Sequence, residues 1–158
     1  MTSHTLADKN RSAYILLIED NYGDVILTKR AFKNGKFNNI IMIAETGEDA
    51  IEILNKQGQW SEAPSPDLIL LDINLPKMSG LEVLNIIKTT DHLKHIPVIM
   101  LSSSRTNPEI NNSYNAGANG YIVKPVNLEN FAESIKKLEQ FWFTMAIMPE
   151  IGGDEGHE

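Results

Sequence analysis

The sequence contains no cysteine, which excludes disulfide frameworks and thiolate metal sites. No apolar run approaches the roughly 18 to 20 residues that a membrane span needs. Residues 1–11 are polar and lack the apolar stretch of a secretory signal. Internal repeats and low-complexity segments are missing as well. These absences lead to the expectation of a cytoplasmic protein with no membrane partner. Basic charge is in the minority: 14 Lys and Arg face 21 Asp and Glu, for a formal net charge of −7 and a pI of about 5.1. Such a balance repels a phosphate backbone, so nucleic-acid binding is not expected. It suits a bound divalent cation or a basic partner, and it serves solubility equally well.

What remains is a chain of 158 residues, 42% of them hydrophobic, enough for one domain with a proper core. Its pattern alternates strand and helix. A continuous apolar run over 14–18 ends in Glu19-Asp20, as expected of a parallel strand covered on both faces. A helical pattern follows over 24–34, with Val25, Ile26, Leu27, Ala31 and Phe32 apolar and Gly35 closing it. The second strand is predicted over 40–44. Thr46, with Asp49 three residues on, caps a helix through Gln57 that buries Ala50, Ile51 and Leu54. Residues 58–66 read as loop, 68–71 as a third strand, and 80–88 as a helix with Leu81, Leu84 and Ile87 inward. The fourth strand is predicted over 97–101, a short helix over 108–116 stopped by Gly117, and the fifth strand over 121–123. A long last helix is predicted from Asn127 to about Met145.

Five such units joined by short loops predict an α/β fold: a doubly wound five-stranded parallel sheet with five helices, the last one extended. The spacing favours the known flavodoxin-like order 2-1-3-4-5. In such sheets a site lies beyond the carboxyl ends of the strands, where the strand order reverses. The domain is expected over 13–140, between a disordered tail at 1–12 and a C-terminal extension at 141–158 that begins as an interface and ends as a disordered tail.

The polar residues at the strand ends converge on that place. The first strand ends in Glu19 and Asp20, the third in Asp72, the fourth in Ser102, the fifth in Lys124. Three carboxylates brought together resist ionising, and a divalent cation relieves the cost. Oxygen ligands without His or Cys fit Mg2+, and the backbone carbonyl of Asn74, two residues past Asp72, suits the same ion. Asp72 is then the natural nucleophile, because a carboxylate can attack phosphorus and form an acyl phosphate. Lys124 would neutralise charge on the phosphoryl oxygens, and Ser102 would donate a hydrogen bond to one of them. Each residue alone has a bland reading as a solvated loop charge, a turn cap or an ordinary serine; the set of five at four strand ends does not.

The segments Ile18-Glu19-Asp20-Asn21, Leu70-Leu71-Asp72-Ile73-Asn74-Leu75-Pro76-Lys77-Met78-Ser79-Gly80, Met100-Leu101-Ser102-Ser103 and Tyr121-Ile122-Val123-Lys124-Pro125 resemble, in order and spacing, the four signatures of response-regulator receiver domains. The resemblance covers roughly Tyr14 to Leu138. It implies that Asp72 accepts phosphate from a sensor histidine kinase or a histidine phosphotransfer protein. It implies a Mg2+ site, with Mn2+ as an alternative ion, formed by Glu19, Asp20, Asp72 and the Asn74 carbonyl. Lys124 would pair with the phosphoryl group. Ser102 and Tyr121 would form a switch pair, the ring turning inward when phosphate recruits the hydroxyl. A cis peptide before Pro125 is a further family feature. Glu19 stands where many members have Asp, and Ser102 where Thr is commoner. Asn74 and Ser104 occupy positions that influence the lifetime of the phosphoryl group.

Only about 20 residues follow the expected end of the fold, so the output expected is protein–protein contact, with no metabolite turned over. The last helix carries one apolar stripe through Leu128, Phe131, Ile135, Leu138, Trp142 and Met145. Past Leu138 it should outrun the sheet, and Phe141, Trp142 and Met145 are expected to form a homodimer interface, with wrapping onto the same chain as the rival. The tail from Phe141 to Pro149, with Ser113-Tyr114 upstream, resembles small stand-alone regulators paired with phytochrome-type kinases. Two other roles stand beside the signalling receiver: an intermediate in a multi-step relay, and an aspartyl-phosphate phosphatase. The phosphatase would want an acid where Asn74 stands, and a cap domain that 158 residues do not accommodate. A pseudo-receiver acting only as a binding module is opposed by the intact set of five.

Overall fold

The computed structural model describes residues 12–33 and 39–124. Within them, five strands form a single sheet: β1 (Ala13–Ile18), β2 (Asn39–Ala44), β3 (Leu68–Asp72), β4 (Val98–Ser102) and β5 (Gly120–Val123). All four pairings are parallel and the order is β2-β1-β3-β4-β5, the order favoured from the sequence. Four helices connect them: α1 (Tyr22–Lys33), α2 (Gly47–Leu54), α3 (Gly80–Thr89) and α4 (Asn107–Asn115). The predicted fifth helix, Pro125, and the tail residues Phe141, Trp142 and Met145 lie outside the described residues.

The apolar runs lack polar alternation because both sheet faces are covered. Alternate residues feed two separate cores. Ile15, Leu17, Leu68, Leu70, Ile99 and Leu101 pack on one face with Val25, Ala31 and Phe32 of α1. Leu16, Ile18, Ile69, Leu71, Val98 and Met100 pack on the other with Ala50, Ile53, Val83, Leu84 and Ile87 of α2 and α3. Each fully buried Leu or Ile contributes roughly 1.5–3 kcal/mol. Strands β3 and β4 are buried along their whole length, so their polar last residues, Asp72 and Ser102, are carried into the interior with them.

The helices depart from their predicted bounds for local reasons. The first begins at Tyr22, because the Asn21 side chain accepts the Asp24 N–H at 2.9 Å and caps it. Its buried face is Val25, Thr28, Ala31 and Phe32; Ile26 and Leu27, expected among the apolar pattern, are exposed. The second helix has the predicted Thr46 cap, with the hydroxyl accepting from Asp49 N–H at 3.0 Å, but it ends at Leu54. Lys56 adopts a left-handed φ of 54°, which no helix continues through. Its inward residues are Ala50, Ile53 and Leu54; the expected Ile51 is only half-buried. In the predicted loop after it, Gly58–Trp60 forms one 3-10 turn.

Candidate functional site

The sheet continues by one backbone hydrogen bond beyond several strands, and these bonds fix the site. Glu19 N–H donates to Ala44 O at 2.9 Å, Ile73 N–H to Leu101 O at 2.9 Å, and Lys124 N–H to Ser102 O at 2.6 Å. Glu19, Asp72, Ser102 and Lys124 are therefore held at the carboxyl ends of four adjacent strands. The β3–α3 loop is fastened too. A capping box joins Ser79 and Glu82 at the start of α3. Gly80 N–H bonds Ile73 O at 2.8 Å. A methyl group on Gly80 would overlap the Asp72 carbonyl oxygen, so only glycine permits this approach.

Oxygens of Glu19, Asp20 and Asp72 all lie within 4.8 Å of one another. Glu19 and Asp72 are buried and Asp20 is exposed, so the group is open on one side. The Lys124 ammonium closes the other side, 2.9 Å from Glu19 Oε1 and 3.2 Å from Asp72 Oδ2. It also stands 2.9 Å from Asp24 Oδ2, to which it donates an aligned hydrogen bond. Its approach to Glu19 is close but misaligned: that buried oxygen accepts no hydrogen bond. The other Glu19 oxygen accepts from Asn21 N–H at 3.2 Å, and Asp72 Oδ1 accepts from Asn74 N–H at 3.0 Å.

Crowded acids in the interior show the expected electrostatics. Burial, reinforced by the neighbouring Asp72 carboxylate, pushes the Glu19 pKa from an ordinary 4.5 up to about 7, and Lys124 offsets only part of the rise. Burial by itself would lower the pKa of Lys124, but the surrounding Glu19, Asp24 and Asp72 outweigh it and hold the ammonium firmly charged. A hard divalent cation fits this donor set. All the side-chain ligands it would take are carboxylate oxygens, two of the three carboxylates being buried.

The two switch candidates meet at a shared neighbour. Ser102 Oγ donates to Glu109 Oε2 at 3.2 Å and accepts from Ser104 N–H at 3.0 Å. The Tyr121 hydroxyl donates to Ser104 O at 2.9 Å, with its ring half-buried. Ser104 Oγ bonds Thr106 Oγ1 at 3.1 Å. Asn74 is exposed beside Asp72. Sequence reasoning missed Asp24 and Glu109. Both read there as acids in the first turn of a helix, where the helix dipole favours them anyway.

Comparison with known proteins agrees with this geometry. Residues 15–136 match the response regulator receiver domain family. The response regulator Rcp1 of Synechocystis sp. is 35% identical over 142 residues, covering 90% of this chain and 97% of that protein. The crystal structure of the phosphorylated cyanobacterial phytochrome response regulator RcpA superposes with a TM-score of 0.74 at 38% identity, covering 89% of this chain and 100% of that one. The Mn2+-bound form of Rcp1 gives a TM-score of 0.71 at 37% identity, covering 82% and 94%. With its acids, hydroxyl and lysine gathered at the ends of a 2-1-3-4-5 sheet, the chain belongs to the response regulator receiver domains.

Proposed function

We propose that this receiver takes a phosphoryl group onto Asp72 from the phosphohistidine of a sensor kinase or histidine phosphotransfer protein. The observation that carries the reading is the Lys124 ammonium 3.2 Å from Asp72 Oδ2, beside the converging carboxylate oxygens of Glu19, Asp20 and Asp72. In the reaction an Asp72 carboxylate oxygen attacks phosphorus, forming a P–O bond as the P–N bond breaks. The electron pair goes to the imidazole nitrogen, which is left neutral or takes up a proton from solvent. Glu19, Asp20, Asp72 and the Asn74 carbonyl would hold Mg2+, or Mn2+ as in the related Rcp1. Such an ion, when bound, supplies positive charge for the phosphoryl oxygens. Lys124 adds a second positive charge from this chain, and Ser102 adds a hydroxyl donor. The chain thereby modifies itself and turns over no metabolite.

The kinase is read as phytochrome-type, from the tail motif and from the phytochrome regulator RcpA among the relatives. A cytoplasmic place and a homodimer through Phe141, Trp142 and Met145 belong to the same reading, as do a switch through Ser102 and Tyr121 and an effect of Asn74 and Ser104 on phosphoryl lifetime. The test is incubation with phosphoramidate and Mg2+ followed by intact mass spectrometry. One added phosphate in the wild type and none in Asp72→Asn is the expected result. Label persisting in Asp72→Asn would overturn the assignment, and repeated hydrolysis of a phosphomonoester would favour the phosphatase. Light scattering of Trp142→Ala checks the dimer: an unchanged mass at the dimer value would remove that interface.

A further inference from the structure

Asp24 has no part in the converging oxygen group, yet it makes the aligned hydrogen bond to Lys124. It is the third residue of α1, in a first turn fixed by Asn21, whose side-chain oxygen accepts the Asp24 N–H at 2.9 Å. An acid there is favoured by the helix dipole alone. The dipole does not account for where the side chain goes, which is to an ammonium 100 residues away in sequence, at the far end of β5. The pair is sheltered, with side-chain exposures of 22% for Asp24 and 13% for Lys124.

We propose that Asp24 is a positioning residue, whose carboxylate holds the Lys124 ammonium at the mouth of the site when Glu19 and Asp72 turn to other ligands. The proposal rests on the reading of Asp72 as phosphoacceptor. Lysine carries a long side chain with high rotamer freedom and three donors. In this structure its ammonium is shared among Glu19, Asp24 and Asp72. A cation on Glu19, Asp20 and Asp72 claims oxygens that the ammonium also approaches. Asp24 is the partner the lysine need not surrender, and it leaves the remaining donors free for a phosphoryl oxygen. Without Asp24, the ammonium falls back onto Glu19 and Asp72 and competes with the cation for them.

A double-mutant cycle on the full chain separates this from a simple charge effect. Mg2+ alone is titrated by NMR into wild type, Asp24→Asn, Lys124→Ala and the double variant. Trifluoroberyllate, a phosphoryl mimic, is then titrated with Mg2+ present and followed by 19F NMR. Asp24→Asn is expected to weaken both affinities about fivefold when Lys124 is present and less than about twofold when it is absent. Equal weakening in both backgrounds would make Asp24 an independent charge and overturn the proposal, as would no weakening in either. Asp24→Ser, whose hydroxyl suits a first helical turn but is too short to reach the ammonium, repeats the cycle if the asparagine variant misfolds. Asp72→Asn is run in parallel: if it still takes label from phosphoramidate, the reading of Asp72 as phosphoacceptor fails. If it does not, a flat cycle sinks only the role of Asp24.

Discussion

Ser102 Oγ donates its hydrogen bond to Glu109 Oε2 at 3.2 Å, so the hydroxyl assigned to the phosphoryl group is committed to the first turn of α4. A hydroxyl has one proton to give. Serving a phosphoryl oxygen requires that this bond be broken, and bonds to charged acceptors are among the stronger ones. Glu109→Ala should therefore raise the affinity for trifluoroberyllate roughly fivefold. The 19F NMR titration checks this, and weaker binding in the variant would show that Glu109 assists rather than restrains.

Lys124 is the counter-charge for two buried carboxylates, Glu19 and Asp72. Removing one partner of a buried ion pair typically costs about 3–5 kcal/mol, because the remaining charge stays desolvated. Lys124→Ala should lose stability on that order in urea unfolding with chelator present, and Mg2+ should restore much of it. Phosphorylation by phosphoramidate should be slowed even in saturating Mg2+. A variant as stable as wild type without metal would show that the acids tolerate one another unaided.

Acid content and pH are linked through Glu19. Its folded-state pKa, about 7, lies above the ordinary 4.5, so the folded chain binds that proton more tightly than the unfolded chain. The resulting stability is fully present below pH 4.5 and is lost as the pH rises through about 7. Metal-free protein should accordingly lose stability from Glu19 between pH 5 and 8, and Glu19→Gln should flatten that dependence. Denaturant midpoints measured across the range with chelator check it; an identical slope in the variant would assign the dependence elsewhere.

Gly80 sits against the Asp72 carbonyl so closely that any side chain must displace one of them. Overpacking of this kind costs about 1–3 kcal/mol. Gly80→Ala should lower the melting temperature and, by shifting the end of β3, weaken Mg2+ binding as well. Loss of stability with unchanged metal affinity would show that the loop yields and the strand does not.

Much of this was open to sequence reasoning because parallel strands covered on both faces have an unmistakable pattern. Tyr14 to Ile18, Leu68 to Leu71 and Pro97 to Leu101 each read as strands, and the polar residue ending each run marks the side where a site is expected. Glu19, Asp20, Asp72 and Lys124 do meet there. Periodicity did less well where a polar residue belongs to the buried face. Thr28 is fully buried in α1 whereas Ile26 and Leu27 are not, since the buried positions 25, 28, 31 and 32 make one helical face on which a polar residue takes one place. Asp24 and Glu109 were illegible for a related reason. Local sequence accounts completely for an acid at a helix start, and only the folded chain reveals that each also touches the site from another element.

The 2.6 Å bond from Lys124 N–H to Ser102 O joins the backbone that carries the ammonium to the backbone that carries the hydroxyl. The two groups proposed to meet an incoming phosphoryl group thus ride on one stiff plank, and neither can retreat through its main chain without dragging the other. Adjustment is left to side-chain rotation and to the stretch 103–106 beyond the plank, where Ser104 already grips Tyr121. On the function proposed above, changes in that short stretch would retune the response while the chemistry at the strand ends stays fixed.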